Sequence, residues 1–308
     1  MRIAPSLKPT HPASPRNVQL GWRDLGAAAR TWQMVWRARL RMAWNTAWRA
    51  TSAAWLCTGL WTHSAGAQNL PAANTHLQLA PLLTPSGVIN PAWRYVGFPK
   101  KQADLPPTLF EAAAAEDTQR AVRVSTARSY GTLVHDWQGA APGALQWTWR
   151  LDQPLTGGKA PPDLTTKAGD DAALKLCVMF DHPLARVPFV ERTLLRLARA
   201  ISGEHLPAAT VCYVWDSAQP AGLQGANPYT RRVRYISLRG TEAPLKQWLP
   251  ERRTPTQDYL DLFKDEASAA QAVPPVLAVV LGADSDNTGS TSRGWVDQVQ
   301  WQLPKSSQ

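Results

Sequence analysis

Residues 145–151 alternate strictly: Leu145, Trp147, Trp149 and Leu151 fall on one side of an extended chain, and Gln146, Thr148 and Arg150 on the other. Side chains of a strand point to opposite faces in turn, so this period of two marks a strand with one buried face. Residues 295–303 repeat the pattern, with Trp295, Val299 and Trp301 set against Gln298, Gln300 and Gln302. Further strands are predicted over residues 92–98, 121–126, 173–180, 210–215, 232–238 and 276–281. Residues 108–115 hold an alanine run that favours helix. They are short and follow Pro106 and Pro107, and are assigned to strand. Two segments carry the helical period instead. Residues 190–202 place Leu194, Leu195, Leu197, Ala198 and Ile201 on an apolar stripe and Arg192, Arg196 and Arg199 on a basic one, ending at Gly203. Residues 256–264 group Tyr259, Leu260 and Phe263, with a threonine near the start as a cap. Many strands, Gly- and Pro-rich turns and one or two short helices predict a mainly β fold, an antiparallel β-sandwich.

The first part of the chain follows a different rule. Arg37, Arg39, Arg41 and Arg49 precede the apolar run 53–61, and Ala65-Gly66-Ala67 follows it. A basic flank, a short apolar run and a small-x-small site make a secretory signal, here cleaved near Ala67. The run is shorter than the roughly 20 residues a membrane-spanning helix needs. No transmembrane anchor is therefore expected after cleavage. Residues 1–33 are long, polar and Pro-rich for a signal, and Met34 or Met42 each begins a segment of ordinary signal length. Residues 68–90 read as a linker and residues 91–305 as one sandwich domain. The expected location is periplasmic or secreted.

Removing residues 1–67 changes the charge picture. The whole chain has 33 basic and 23 acidic residues, a net of +10. Nine of the basic residues and one acidic residue lie in residues 1–67, which leaves 24 against 22. A near-neutral domain has no long-range field to gather phosphates, so nucleic acid is not an expected partner. Seven of the fifteen Trp and one of the three Cys also precede residue 68. Cys177 and Cys212 remain, in an oxidising compartment. A bond between them needs Cα atoms within about 7 Å; two buried thiols are the alternative.

Several motifs occur in order along the exported part. They are Trp147-Thr148-Trp149-Arg150-Leu151-Asp152; Lys167-Ala168-Gly169-Asp170-Asp171 leading into Leu176-Cys177-Val178-Met179-Phe180-Asp181; Cys212-Tyr213-Val214-Trp215; and Asn227-Pro228-Tyr229-Thr230. Trp248, Arg253, Asp258, Tyr259 and Phe263 follow, and then Asp284-Ser285-Asp286-Asn287-Thr288. In this order and spacing the chain resembles the bacterial domain-of-unknown-function 3047 family from about residue 92 to residue 301. The resemblance implies an exported protein without assigned activity, built as a jelly roll similar to galactose-binding-like domains. It implies fold more strongly than function. Cys177 and Cys212 stand where the family more often has other residues, so a disulfide would be peculiar to this chain.

On its own chemistry, Lys167–Asp171 is a turn entering a strand, with Gly169 supplying positive φ and Asp170 bonding backbone N–H groups. The functional alternative is a polar cluster at the sheet rim, where Lys167 donates to and Asp170 accepts from a sugar-like hydroxyl pair. Asp284-Ser285-Asp286-Asn287 resembles half of a calcium loop, but the position that an EF-hand fills with Glu is Trp295. Asp284 or Asp286 could still share a structural calcium ion with Asp181 or another carboxylate. The plain alternative is an Asx-rich hairpin loop. His76, His135, His182 and His205 have no zinc spacing, no nucleophile elbow is present, and no cofactor is expected. Trp137 and Trp215 are candidate surface aromatics; Arg234 lies in a strand with Arg232 and either lines the site or faces water. The candidate ligand-binding set is Lys167, Asp170, Asp171, Trp215, Arg234, Asp286 and Asn287. The expected function is non-catalytic binding of a polar ligand, a glycan or another envelope component. The alternatives are an envelope polysaccharide hydrolase or lyase, and a partner-binding subunit of an envelope assembly.

Overall fold

The computed structural model of the chain describes residues 78–97, 105–116, 120–202, 206–268 and 270–303. The signal segment 1–67, His76, Gly203 and His205 lie outside the described residues, as does the first part of the predicted linker.

Twelve strands among the described residues, numbered in chain order, form two sheets. The seven-stranded sheet runs β1 (Trp93–Val96), β4 (Tyr130–Gly139), β11 (Val276–Asp284), β6 (Leu174–Phe180), β7 (Ala209–Trp215), β9 (Val233–Arg239) and β8 (Gln224–Ala226). The five-stranded sheet runs β10 (Leu249–Arg253), β5 (Ala144–Thr156), β12 (Thr291–Gln302), β3 (Arg120–Ala127) and β2 (Leu109–Ala114). Neighbours are antiparallel except β7 and β9, which pair in parallel. Helix α1 (Phe189–Ser202) lies between β6 and β7, and α2 (Pro255–Leu262) between β10 and β11. The mainly β sandwich with two helices is as the patterning predicts. The one parallel pair departs from a purely antiparallel arrangement. Helix α2 differs in its cap: Thr254 makes no side-chain cap bond, and Pro255 occupies the first turn, where its missing N–H costs nothing.

One core joins the two sheets. Leu145, Trp147, Trp149 and Leu151 of β5 meet Leu176, Val178, Tyr213, Trp215 and Leu281 of the other sheet. Trp147 stands edge-on to Trp149 at 5.5 Å, and Trp149 lies 5.6 Å from Trp215. Such pairs add about 0.5–1.5 kcal/mol each beyond the area they bury. The second alternating stretch is interrupted. β12 shifts register between Asp297 and Gln300, and Gln298 there adopts φ 57°. One extra residue reverses the alternation. Val296, Val299 and Trp301 therefore face the core, while Trp295 packs with Ala115 and Ala121 in a separate cluster. The predicted linker also differs in its second half: Leu79 and Leu82 are buried in the core, and Trp93 donates its indole N–H to Ala80 O.

The outer face of the seven-stranded sheet positions the site. Along β6 the even positions face the core, while Lys175, Cys177 and Met179 point outward. Cys177 lies directly across from Cys212 on β7, with a Cα–Cα distance of 4.0 Å, and the two form a disulfide. Val134, Leu164, Val214, Tyr235 and Val280 pack around it. The bond closes a loop of 35 residues that includes α1. By loop closure alone it stabilises the fold by about 4 kcal/mol. The double variant Cys177→Ala, Cys212→Ala is expected to lose about that much in urea unfolding under non-reducing conditions; a loss below about 1 kcal/mol would show that the closed loop is ordered without the bond.

Candidate functional site

Three loops meet over that outer face. The first contains Lys167 and Asp170 and leads into β6. The second, between β8 and β9, contains Asn227 and Tyr229. The third is the β11–β12 hairpin with Asp286 and Asn287. Together with Tyr130, Lys175 and Asp284 they line a cleft of about 380 Å³. A narrower recess of about 50 Å³ continues from it over Cys212, Val214 and Tyr235. A larger depression of about 640 Å³ lies between residues 78–83 and the β12 bulge, but no sequence-predicted site residue lines it.

Asp171 builds the cleft and does not face it with free valence. Its carboxylate accepts Thr288 N at 2.7 Å, Thr288 Oγ1 at 2.6 Å, and both Asn287 N–H groups at 3.2 and 3.3 Å. Asp284 accepts Ala172 N at 2.8 Å and is paired with the Lys175 ammonium. These two carboxylates clamp the hairpin to the loop before β6. Gly169 serves the same loop by close approach, because a Cβ there would meet Asp163 N at 2.5 Å. It does not have the positive φ expected of it.

Asn227 and Tyr229 form the opposite wall. Asn227 Oδ1 accepts the N–H groups of Tyr229 and Thr230 in an Asx turn. Its amide donates to Asp170 Oδ2. Asp170 thus takes a side-chain amide, where a backbone N–H was expected. The turn projects Tyr229, whose hydroxyl donates to Asn287 Oδ1 at 2.8 Å or Lys167 O at 3.0 Å. The ring is exposed, and the Lys167 ammonium stands 5.3 Å from its centre. Asp286 differs from its neighbours: its carboxylate makes no hydrogen bond to another side chain among the described residues.

Four carboxylates against two lysines set the electrostatics. Burial, and then the charge of Asp284, push the Asp170 carboxyl up to about 6. Burial, Asp284 and Asp171 push Asp286 up to about 6 as well. Lys175 moves up despite burial because Asp284 and Tyr130 favour the ammonium. Raised carboxyls hold their protons in the folded state after the unfolded chain has lost them. Stability therefore falls as pH rises through about 4 to 6 on account of these two groups. Asp286→Asn is expected to flatten its share of that fall, so that its thermal midpoint exceeds the wild type's above about pH 6. Calorimetric scans at pH 4.5 and 7.5 check this; a midpoint lowered equally at both values contradicts it.

The metal reading narrows on the same geometry. Asp171, Asp284 and Asp286 each place one oxygen within 4.8 Å of the others. Calcium takes six to eight oxygens, and two of these three carboxylates are already bonded to backbone, hydroxyl and ammonium groups. The Lys175 ammonium is the counter-ion of the cluster. Asp181, proposed as a partner for Asp284, follows the far end of β6 and belongs to neither cleft nor cluster.

Two candidate ligand residues lie elsewhere. Trp215 is 1% exposed and is part of the inter-sheet core. Being the last residue of β7, it keeps the inward phase of Val211 and Tyr213, so its position beside Asp216 does not bring it to a cleft. Arg234 is buried on the core side of β9, 4.2 Å from the Phe263 ring centre and bonded to Asp265 and Glu266. Trp137 is half-buried against Trp301 and bonded to Ala140 O. The site residues that patterning missed are Lys175, Asn227, Tyr229 and Tyr130. Lys175 is the one charge in an apolar strand, and Asn227-Pro228-Tyr229-Thr230 is a turn motif that brings Asn227 and Tyr229 to the cleft.

A match to the family described as "Protein of unknown function (DUF3047)" covers residues 91–300. The chain belongs to this family. The DUF3047 match spans both sheets and all three cleft loops. No curated protein matches the chain. Among solved structures, one from Bacteroides thetaiotaomicron carries the description "putative glycoside hydrolase". It is 13% identical, with a TM-score of 0.30, over 66% of this chain and 59% of its own. A likeness of that size carries no argument about fold or activity. No helix among the described residues is long and apolar enough to cross a membrane.

Proposed function

We propose that this DUF3047 protein is an exported, non-catalytic binding protein whose cleft takes a small uncharged polyhydroxylated ligand, a carbohydrate unit of the cell envelope. The observation that carries the proposal is the convergence of Asp170, Lys175, Asn227, Tyr229 and Asp286 on one cleft of about 380 Å³. Asp286 is an acceptor without a side-chain donor among the described residues, and the Lys175 ammonium has three hydrogens to share. Tyr229 adds an exposed ring with a polar tip, suited to the apolar face of a sugar. The surplus of carboxylates repels uronates and phosphates. That disfavours a lyase, whose elimination chemistry starts from an acidic sugar. The disulfide fits an oxidising compartment.

One observation favours hydrolysis as a second reading: two carboxyls raised to about 6 face the same cleft, as a general acid requires. A glycan array with the full chain, followed by product analysis on every glycan bound, separates the two. Binding of neutral glycans with no product formed supports the binding protein. Product formed by the wild type and abolished in Asp170→Asn or Asp286→Asn establishes the hydrolase. No binding to any neutral glycan at millimolar concentration overturns both.

A further inference from the structure

Helix α1 presents an apolar face to solvent. Phe189, Val190 and Leu194 are 73%, 67% and 57% exposed. Val190 and Leu194 lie one turn apart, and Phe189 opens the helix beside them. The body-facing side is separate: Leu195 packs against Val187 and Ala208, and Glu191, one turn before it, reaches Arg232 at 2.6 Å. The helix therefore has two apolar faces, of which the sandwich covers one.

Charge selects the occupant of the other. Arg192 and Arg196 have no acidic partner among the described residues, and Arg192 stands 5.8 Å from the Phe189 ring centre. The one acid of α1, Glu191, is turned inward and neutralised by Arg232. An exposed aromatic and two aliphatics flanked by unpaired arginines match an interface that is apolar below and anionic above. From this charge complementarity we infer that α1 lies on anionic phospholipid bilayers, with Phe189, Val190 and Leu194 at the acyl boundary and Arg192 and Arg196 on the headgroups. This inference does not rest on the ligand of the cleft.

Flotation with vesicles tests it. The full chain also contains the apolar run 53–61, so the comparison is among full-chain variants that share that run. The wild type is expected to float with phosphatidylglycerol–phosphatidylethanolamine vesicles and much less with phosphatidylcholine. The double variant Phe189→Ser, Leu194→Ser is expected to bind about tenfold more weakly or worse. Arg192→Gln and Arg196→Gln are each expected to weaken binding about fivefold at low salt, with the difference collapsing at roughly 0.5 M salt. Phe189, Leu194 and Arg196 are exposed and Arg192 is half-buried, none of them in the core, so near-UV circular dichroism is expected to stay that of the wild type. Equal flotation of every variant, or no lipid dependence in the wild type, overturns the inference. A wild-type dimer that dissociates in the Ser variant, without vesicle binding, overturns it in favour of a second copy of the chain.

Discussion

Glu266→Ala is expected to cost about 3 kcal/mol of folding stability, because it removes the buried carboxylate that Arg232 and Arg234 share and leaves each guanidinium with one acidic partner, Glu191 or Asp265. The Glu266 side chain is 3% exposed, and those of Arg232 and Arg234 are 4% and 6% exposed. Arg232 Nη1 reaches one carboxylate oxygen at 2.6 Å and Arg234 Nη2 the other at 3.0 Å. His182 Nε2 lies 3.4 Å away, and its other ring nitrogen is bonded to Tyr259. Burial by itself would raise the Glu266 carboxyl; hydrogen bonding from Arg232 and the charges of Arg232 and Arg234 reverse this and hold it at about 2. A depressed folded pKa stabilises above the unfolded value and is lost as pH falls through the folded one. This pair of values places the loss between about pH 4.5 and 2. Glu266→Gln keeps hydrogen-bonding oxygen without the charge and is expected to cost less than Glu266→Ala. Urea unfolding at pH 7 measures both. A loss under about 1 kcal/mol for the alanine variant would mean that water reaches the arginines.

Lys175→Met is expected to cost about 3 kcal/mol at neutral pH and to lose part of that cost on acidification. The lysine is the internal cation among Asp170, Asp171, Asp284 and Asp286. Without it, the carboxyls repel one another and their pKa values rise further. Protonation then relieves the strain, so the gap between variant and wild type narrows from pH 7.5 to pH 5. The double variant Lys175→Met, Asp284→Asn is expected to recover most of the loss, because it removes the partner that would otherwise be stranded. Denaturation of the three proteins at both pH values checks this. A pH-independent loss, unchanged in the double variant, would assign Lys175 a packing role only.

The sandwich was legible where one face of a strand is buried and the other wet. Residues 145–151 are the clear case, and Trp147 and Trp149 meet the opposite sheet as the alternation implies. β4 escaped patterning because Gly131, Thr132, Leu133 and Val134 are buried in succession, which removes the period of two. β8 has three residues and β10 carries Pro250, Glu251 and two arginines, so neither holds an apolar signal. The bulge at Asp297–Gln300 reverses a face with no mark in composition.

The site was legible through its loops. Asp170, Asp286 and Asn287 line one cleft, with Asp171 bonded to the hairpin and Lys167 beside Tyr229, because β6 and β11 are neighbours and their loop ends coincide. Which of them is free is set by partners distant in sequence. Asp171 is spent on residues 287–288, more than a hundred positions away. Arg234 read as a site candidate or a strand arginine facing water because Glu266, its buried partner, lies 32 positions further on. Chemistry chose the candidate residue types, and long-range pairing decided their roles.

The most direct test of the cleft is calorimetric titration of an array-selected neutral glycan into the wild type and Asp286→Asn. Loss of a charged acceptor from a ligand hydrogen bond costs about 1.5–3 kcal/mol, roughly tenfold or more in affinity. The account predicts that weakening in a variant that stays folded and is more heat-stable above about pH 6. An Asp286→Asn protein that is folded and binds the glycan with wild-type affinity would contradict it.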